Sequence, residues 1–292
     1  MKPLNLKPRS GGFTLIELLV VIAIVGILGA LAAGAVFRVR GSQDQKTTEV
    51  AVTKLGSALD MQIKASMDMV RETPTPPSLL VAAGSDPARA KAIMNKIRIR
   101  GDFPQTVPEA NSVGGVGYAG YTVPGSQTYI KKLANYTGGG SANEESAICL
   151  HMILTQARRG VMFNPEEAMG AGGIGQVRGM PVFMDKFGSP IGFRRWANSA
   201  VPVEATILNE VEGNKDLTPD ATRKDPYDPE GRLNGWTDTN TPSLVTVLGG
   251  NFQNNRNYLP FVYAMGKDKV FNGSDSDDIF SFRLRKSGQK GN

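Results

Sequence analysis

The chain carries one cysteine and one histidine in 292 residues, Cys149 and His151. A single cysteine excludes an internal disulfide and any cysteine-rich metal site. It leaves the compartment open, because an exported protein can do without disulfides. A single histidine forces most acid–base schemes to rest on carboxylates. No Ser/His/Asp set, zinc motif or carboxylate pair at recognisable spacing stands out. Cys149 and His151 lie on one predicted helix, with too few ligands for a metal and no third group to orient a base, so structural roles are expected for both. A dense Lys/Arg stripe is missing as well. The net charge is +6 and the pI near 9.4, but Lys2, Lys7 and Arg9 fall in the first twelve residues and the other basic residues are scattered without interleaved aromatics. That distribution argues against a nucleic-acid partner. No internal repeat is evident. The run Gly170-Ala171-Gly172-Gly173-Ile174-Gly175 matches neither nucleotide fingerprint and reads as a flexible loop.

The length is enough for one large domain or two modest ones, and the 34 glycines and 18 prolines point to many turns. Between Phe13 and Phe37 only Thr14 and Glu17 are polar. About 20 apolar residues cover the hydrocarbon core of a bilayer as a helix, so this segment spans it with length to spare. It is too long for the apolar part of a cleavable secretory signal, and no small-x-small site directly follows it. The basic residues before it favour a cytoplasmic N-terminus, and Arg38 and Arg40 weaken that orientation without reversing it. Glu17 is costly there, at about 2.5–3.5 kcal/mol for a charge inside a bilayer on the lenient scale. It should either have a partner or snorkel to the headgroups.

The run Gly11-Gly12-Phe13-Thr14-Leu15-Ile16-Glu17 closely resembles the recognition sequence of type IV prepilins and type II secretion pseudopilins. The resemblance implies cleavage by a prepilin peptidase between Gly12 and Phe13, with N-methylation of Phe13 as the new first residue. Glu17 then takes the fifth mature position, where that family keeps a glutamate. There its carboxylate can pair with the amine of the next subunit, offsetting the burial of both charges and setting the axial register.

Beyond Arg40 the pattern turns amphipathic. Val52, Leu55, Leu59, Ile63 and Val70 recur at spacings of three, four or seven, predicting one helix from Phe13 to about Arg71, packed on a sheet and ended by Pro74, Pro76 and Pro77. Gly41 is a candidate kink. Residues 74–80 read as a rigid linker, Asp86–Ile97 as a helix, 100–140 as aperiodic, and Glu144–Arg158 as a further helix. Short strands are expected at Pro181–Met184, Ile191–Trp196, Val203–Leu208, Leu244–Leu248, Leu259–Tyr263 and Ile279–Leu284, with Asp185–Pro190 as a hairpin turn and 209–241 as a surface loop. The fold class is therefore α+β: a long N-terminal helix, its first half transmembrane, on a small antiparallel sheet domain with a mixed helix and loop insert. The segments are a leader (1–12), a transmembrane helix (13–37), the periplasmic half of the helix (38–73), the insert (74–180) and a pseudopilin-like sheet domain (181–292).

The stretch from Ala264 to Ile279 is rich in carboxylates, which repel one another on a tight loop unless solvated or shared by a cation. Calcium accepts six to eight oxygens in flexible geometry. The spacing is not that of an EF-hand, because no glutamate closes the loop. It resembles the end of the major pseudopilins, where a Gly-x-Asp-Gly turn and an Asp-Ile pair surround a structural calcium. The resemblance implies Asp268, Asp275 and Asp278 as ligands, with Asn272 and Asp277 as auxiliary candidates. Lys269 stands where that turn usually has glycine, and a solvated turn without metal is the competing reading. The hairpin with Asp185, Gly188 and Pro190 resembles the same family's middle strands, while 74–180 departs from its compact pattern.

Together these features imply a structural subunit of a type II secretion filament, held in the bacterial inner membrane with its C-terminal domain in the periplasm. The implied partners are a prepilin peptidase, like and unlike pseudopilin subunits, membrane lipid and the inner-membrane assembly machinery. A minor pilin of a type IV pilus is the alternative within the class, though pilins usually carry a C-terminal disulfide loop that Cys149 alone cannot make. A membrane-tethered periplasmic enzyme or binding domain is the alternative outside it.

Overall fold

A computed structural model of the protein describes residues 14–112, 115–123, 127–195, 227–233, 235–239, 243–248, 260–273 and 277–284. Two compact units emerge, residues 1–46 and 47–292. In the first, the described residues are helical from Leu15 onward, and the apolar side chains stand free, Leu15 at 82% and Leu31 at 67% exposure. They belong to α1, Leu15–Glu72, and Gly41 does not interrupt it.

In the second unit the stripe on α1 is buried as its spacing requires. Val52, Leu55, Leu59 and Val70 enter the main core, and each such side chain contributes about 1.5–3 kcal/mol by leaving water. The polar groups that receive α1 come from helices and turns more than from a sheet face. Lys91 Nζ donates to the carbonyls of Val70 (3.1 Å) and Thr73 (2.6 Å), satisfying acceptors that a helix end leaves open. The expected linker contains a helical turn, α2 (Pro77–Ala82), because Pro77 suits a first turn and Leu79 is fully buried. Helix α3 runs Pro87–Asp102, beyond the predicted Ile97, and Asp86 caps it by accepting from Ala88 and Arg89 N–H.

The aperiodic stretch resolves into α4 (Val107–Ala110), a hairpin of β1 (Val116–Tyr118) and β2 (Tyr121–Val123), and α5 (Gln127–Lys132). Ala119 and Gly120 both take positive φ, which gives the tight two-residue connection its favoured twist. Helix α6 (Ala142–Leu154) starts on a capping box in which Ser141 and Glu144 satisfy each other's backbone N–H. Next come α7 (Pro165–Met169) and the antiparallel pair β3 (Ile174–Val177) and β4 (Met180–Phe183). Part of the expected glycine loop is therefore strand.

A third sheet joins β5 (Gly192–Arg194), β6 (Phe261–Ala264) and β7 (Ile279–Phe280), all antiparallel. The turn at 185–190 is tight, with Ile191 N–H donating to Phe183 O at 2.8 Å, yet its two strands part into different sheets. It is not the middle of a regular hairpin. Along β6, Val262 and Ala264 face the main core while Phe261 and Tyr263 join Phe280 and Phe282 in a second, aromatic cluster. The alternation is the two-residue period of a strand.

Three expectations for the C-terminal part change. Leu244–Leu248 is a helix, α8, not a strand. Ser243 Oγ accepts from Thr246 N–H, Asp238 accepts from Leu244 N–H, and the buried Leu244 and Leu248 are spaced by four; the cap outweighs the β-branched composition. The last strand ends at Phe280 and residues 281–284 are helical. Within 209–241, Tyr227 and Leu233 are core residues, so that part is not a surface loop. The expected strand Val203–Leu208 lies outside the described residues. Residues from 74–180 and from 181–292 contribute to one hydrophobic cluster.

Candidate functional site

The head of α1 is a built N-terminus. Thr14 precedes the first helical residue, and Glu17 Oε2 accepts from both Thr14 N–H (2.9 Å) and Thr14 Oγ1 (2.8 Å). In return Thr14 Oγ1 lies 3.3 Å from the Glu17 N–H that donates to it. This is a capping box, Thr-x-x-Glu, which satisfies donors that the first turn would otherwise leave open. It engages one oxygen of the Glu17 carboxylate. Oε1 is left for a second donor among the described residues, so capping and pairing with an amine are compatible. Gly12 and Phe13 lie outside the described residues. From Leu15 to Ala33 the helix is long and apolar enough to cross a membrane by length and composition.

The acidic loop is organised by its own main chain. Asp277 Oδ2 accepts from the N–H of Lys267 and of Asp268. Asp268 uses Oδ1 for Val270 N–H (2.9 Å) and Oδ2 for the Asn272 amide (2.7 Å). Asp278 is buried, and its Oδ2 accepts from Asn272 and Gly273 N–H, both at 2.8 Å. Asp275 lies outside the described residues. Among the described residues no three His, Cys, Asp or Glu side chains converge as a metal group. Asp268, Asp277 and Asp278, with Asn272 between them, are the described members of the expected ligand set, and each carboxylate is engaged by N–H groups of its own loop.

Lys269 adopts φ +61°, the left-handed region that favours glycine. A side chain is thus carried at a backbone conformation that glycine adopts more readily. The Lys269 ammonium reaches the 185–190 turn, lying 3.8 Å from where a Cβ on Gly188 would stand. Burial pushes the Asp185 carboxyl above its usual range, while the turn N–H groups and Lys269 oppose the rise. Its Oδ1 accepts from Phe187 (2.9 Å) and Ser189 (2.7 Å) N–H. The charge of Lys269 is therefore partly balanced by Asp185.

Cys149 is fully buried and its thiol is pushed up by desolvation, which keeps it in the poorly nucleophilic neutral form. His151 lies tilted against Phe183 with ring centroids 5.1 Å apart, and burial, helped by the Lys132 ammonium, lowers it to about 4. One more charged contact escapes any local pattern. Arg195 at the end of β5 forms a fork on Glu109 of α4, Nη1 to Oε2 at 2.9 Å and Nη2 to Oε1 at 3.2 Å. Burial raises the Glu109 carboxyl, but Arg195, the Gln105 N–H and Arg100 together outweigh it and the net shift is downward. The Thr14–Glu17 box had a sequence signal, Thr-x-x-Glu before an apolar run. The Glu109–Arg195 pair, joined only in the folded state, had none.

The prokaryotic N-terminal methylation motif matches the chain over residues 7–33, the segment that contains the Gly12–Phe13 junction, the capping box and most of the apolar run. No curated protein and no solved structure matches the chain. The motif indicates a type IV pilin-like or pseudopilin precursor, a class of structural subunits that a prepilin peptidase processes and that assemble into pilin-type oligomers.

Proposed function

We propose that the chain is a pseudopilin-like subunit of a type II secretion filament. It is anchored in the inner membrane by residues 13–37, cut between Gly12 and Phe13, methylated on Phe13, and assembled through α1. The observation that carries this reading is the methylation motif at residues 7–33, joined to a Glu17 carboxylate that caps its own helix with one oxygen. Its other oxygen can meet the amine that cleavage creates on a neighbouring subunit, and an ion pair so formed reduces the cost of charge in the apolar filament core. The lone cysteine and the Asp-rich loop at 268–278 favour the secretion subclass over a pilus subunit with a C-terminal disulfide loop. A structural calcium on that loop, held by Asp268, Asp275 and Asp278, belongs to the same proposal.

Assembly tests it. Glu17→Ala should leave peptidase cleavage intact and abolish or severely reduce filaments in the native host. Filaments of normal number and length from that variant would remove the role given to Glu17.

A further inference from the structure

The buried stripe of α1 is interrupted by polar residues. Gln62 and Ser66 are fully buried between Leu59 and Val70. Gln62 Nε2 donates to the carbonyls of Gln156 and Val161, both at 3.1 Å, and its Oε1 accepts from Arg158 Nη1 at 3.0 Å. Ser66 Oγ donates to Asp102 Oδ2 at 2.5 Å. Arg158 is only 6% exposed, and it also donates to Asp102 O (2.7 Å), Ile153 O (3.1 Å) and the Tyr129 hydroxyl, with Phe103 beneath its guanidinium at 4.9 Å. Two segments distant in sequence, 156–161 and Asp102 at the end of α3, thus meet two polar positions on one helix.

The large apolar positions at the middle of the stripe choose a register only weakly. If α1 moved one turn against the core, Leu55 would take the place of Leu59, Leu59 that of Ile63, and Ile63 that of Met67, apolar for apolar, while Lys54 would meet the place of Ala58 and Ser66 that of Val70. Buried polar groups respond differently, because a displaced partner leaves desolvated donors and acceptors unmade. A polar residue in an apolar seam is the best-attested device for fixing register.

We propose that Gln62, Ser66 and Arg158 form a register lock, positioning residues that hold α1 at one axial setting in the unit formed by residues 47–292. The lock stands on contacts within that unit and does not depend on the filament reading. If that reading holds, the lock gives every subunit the same relation between the assembling helix and its domain.

Pulsed electron paramagnetic resonance on the full chain in detergent tests it, with spin labels at Val50→Cys on α1 and Val81→Cys on α2. Both sites are exposed, at 54% and 74%, and Cys149 is fully buried. A one-turn slip, four residues at about 1.5 Å each, moves position 50 by about 6 Å along the helix axis relative to α2. With the lock intact a single distance is expected. In Gln62→Leu/Arg158→Met, folded by circular dichroism, a second peak displaced by about 6 Å should appear, whereas Gln62→Glu, which retains a partner for Arg158, should keep one peak. A folded double variant with one unshifted peak would overturn the lock. If the double variant fails to fold, Gln62→Leu/Ser66→Val takes its place in the same measurement. Loss of folding there too would overturn the proposal, by assigning the network to stability rather than register.

Discussion

Replacing His151 with phenylalanine should remove a specific acid sensitivity from the folded protein. The imidazole titrates at about 4 in the fold, lowered chiefly by burial and further by Lys132, against about 6.5 in an unfolded chain. Between those values the unfolded state holds more protons than the folded one, so stability declines as the pH falls through that window. Above about 6.5 both states are neutral at this site and the effect vanishes; below about 4 both are charged and it levels off. A gap of about 2.5 units at 1.36 kcal/mol each gives a loss of about 3 kcal/mol across the window, with a slope no steeper than one proton allows. Phenylalanine keeps a ring against Phe183 and cannot titrate. The assay is urea unfolding of the full chain in detergent at pH 7, 6, 5 and 4.5, followed by tryptophan fluorescence, for the wild type and His151→Phe. Glu109, Glu144 and Asp185 titrate in both proteins, so their contributions cancel in the difference. The two stability curves should diverge toward low pH, the variant becoming relatively more stable. Curves that stay parallel from pH 7 to 4.5 would refute the burial argument for this histidine.

Two further outcomes concern the acidic loop. If calcium binds there, a chelator should lower the melting temperature of the full chain in detergent, and Asp275→Ala/Asp278→Ala should abolish that response; no shift on chelation would remove the metal. Lys269 occupies the left-handed region, so Lys269→Val should destabilise by about 1 kcal/mol and Lys269→Gly should not. Equal melting temperatures for Lys269→Val and the wild type would contradict the strain assigned to that backbone.

The readable parts of this fold were those set by local pattern. The apolar run from Leu15 and the stripe Val52, Leu55, Leu59 gave α1, and the helices expected at Asp86–Ile97 and Glu144–Arg158 overlap α3 and α6. What failed depended on contacts between distant segments. Leu244–Leu248 has the composition of a strand, and only Asp238 and Ser243, folded over its first turn, make it a helix. Tyr227 and Leu233 look like loop residues until α3 and its neighbours supply the core that buries them. At the candidate site, the methylation motif at residues 7–33 was legible because it is contiguous. Gln62 and Ser66 were not, since a polar residue in an apolar stripe has meaning only once Arg158 and Asp102 lie opposite. The turn at Lys269 shows a third case: a non-glycine residue holds a left-handed backbone, and its charge acts on Asp185 of a turn some eighty residues earlier, which no local pattern signals.

The most direct test of the central claim is mass spectrometry of the N-terminus of protein recovered from its own host. The expected result is a chain beginning at Phe13 with a methylated α-amine. An intact Met1 terminus in cells with an active prepilin peptidase would contradict it.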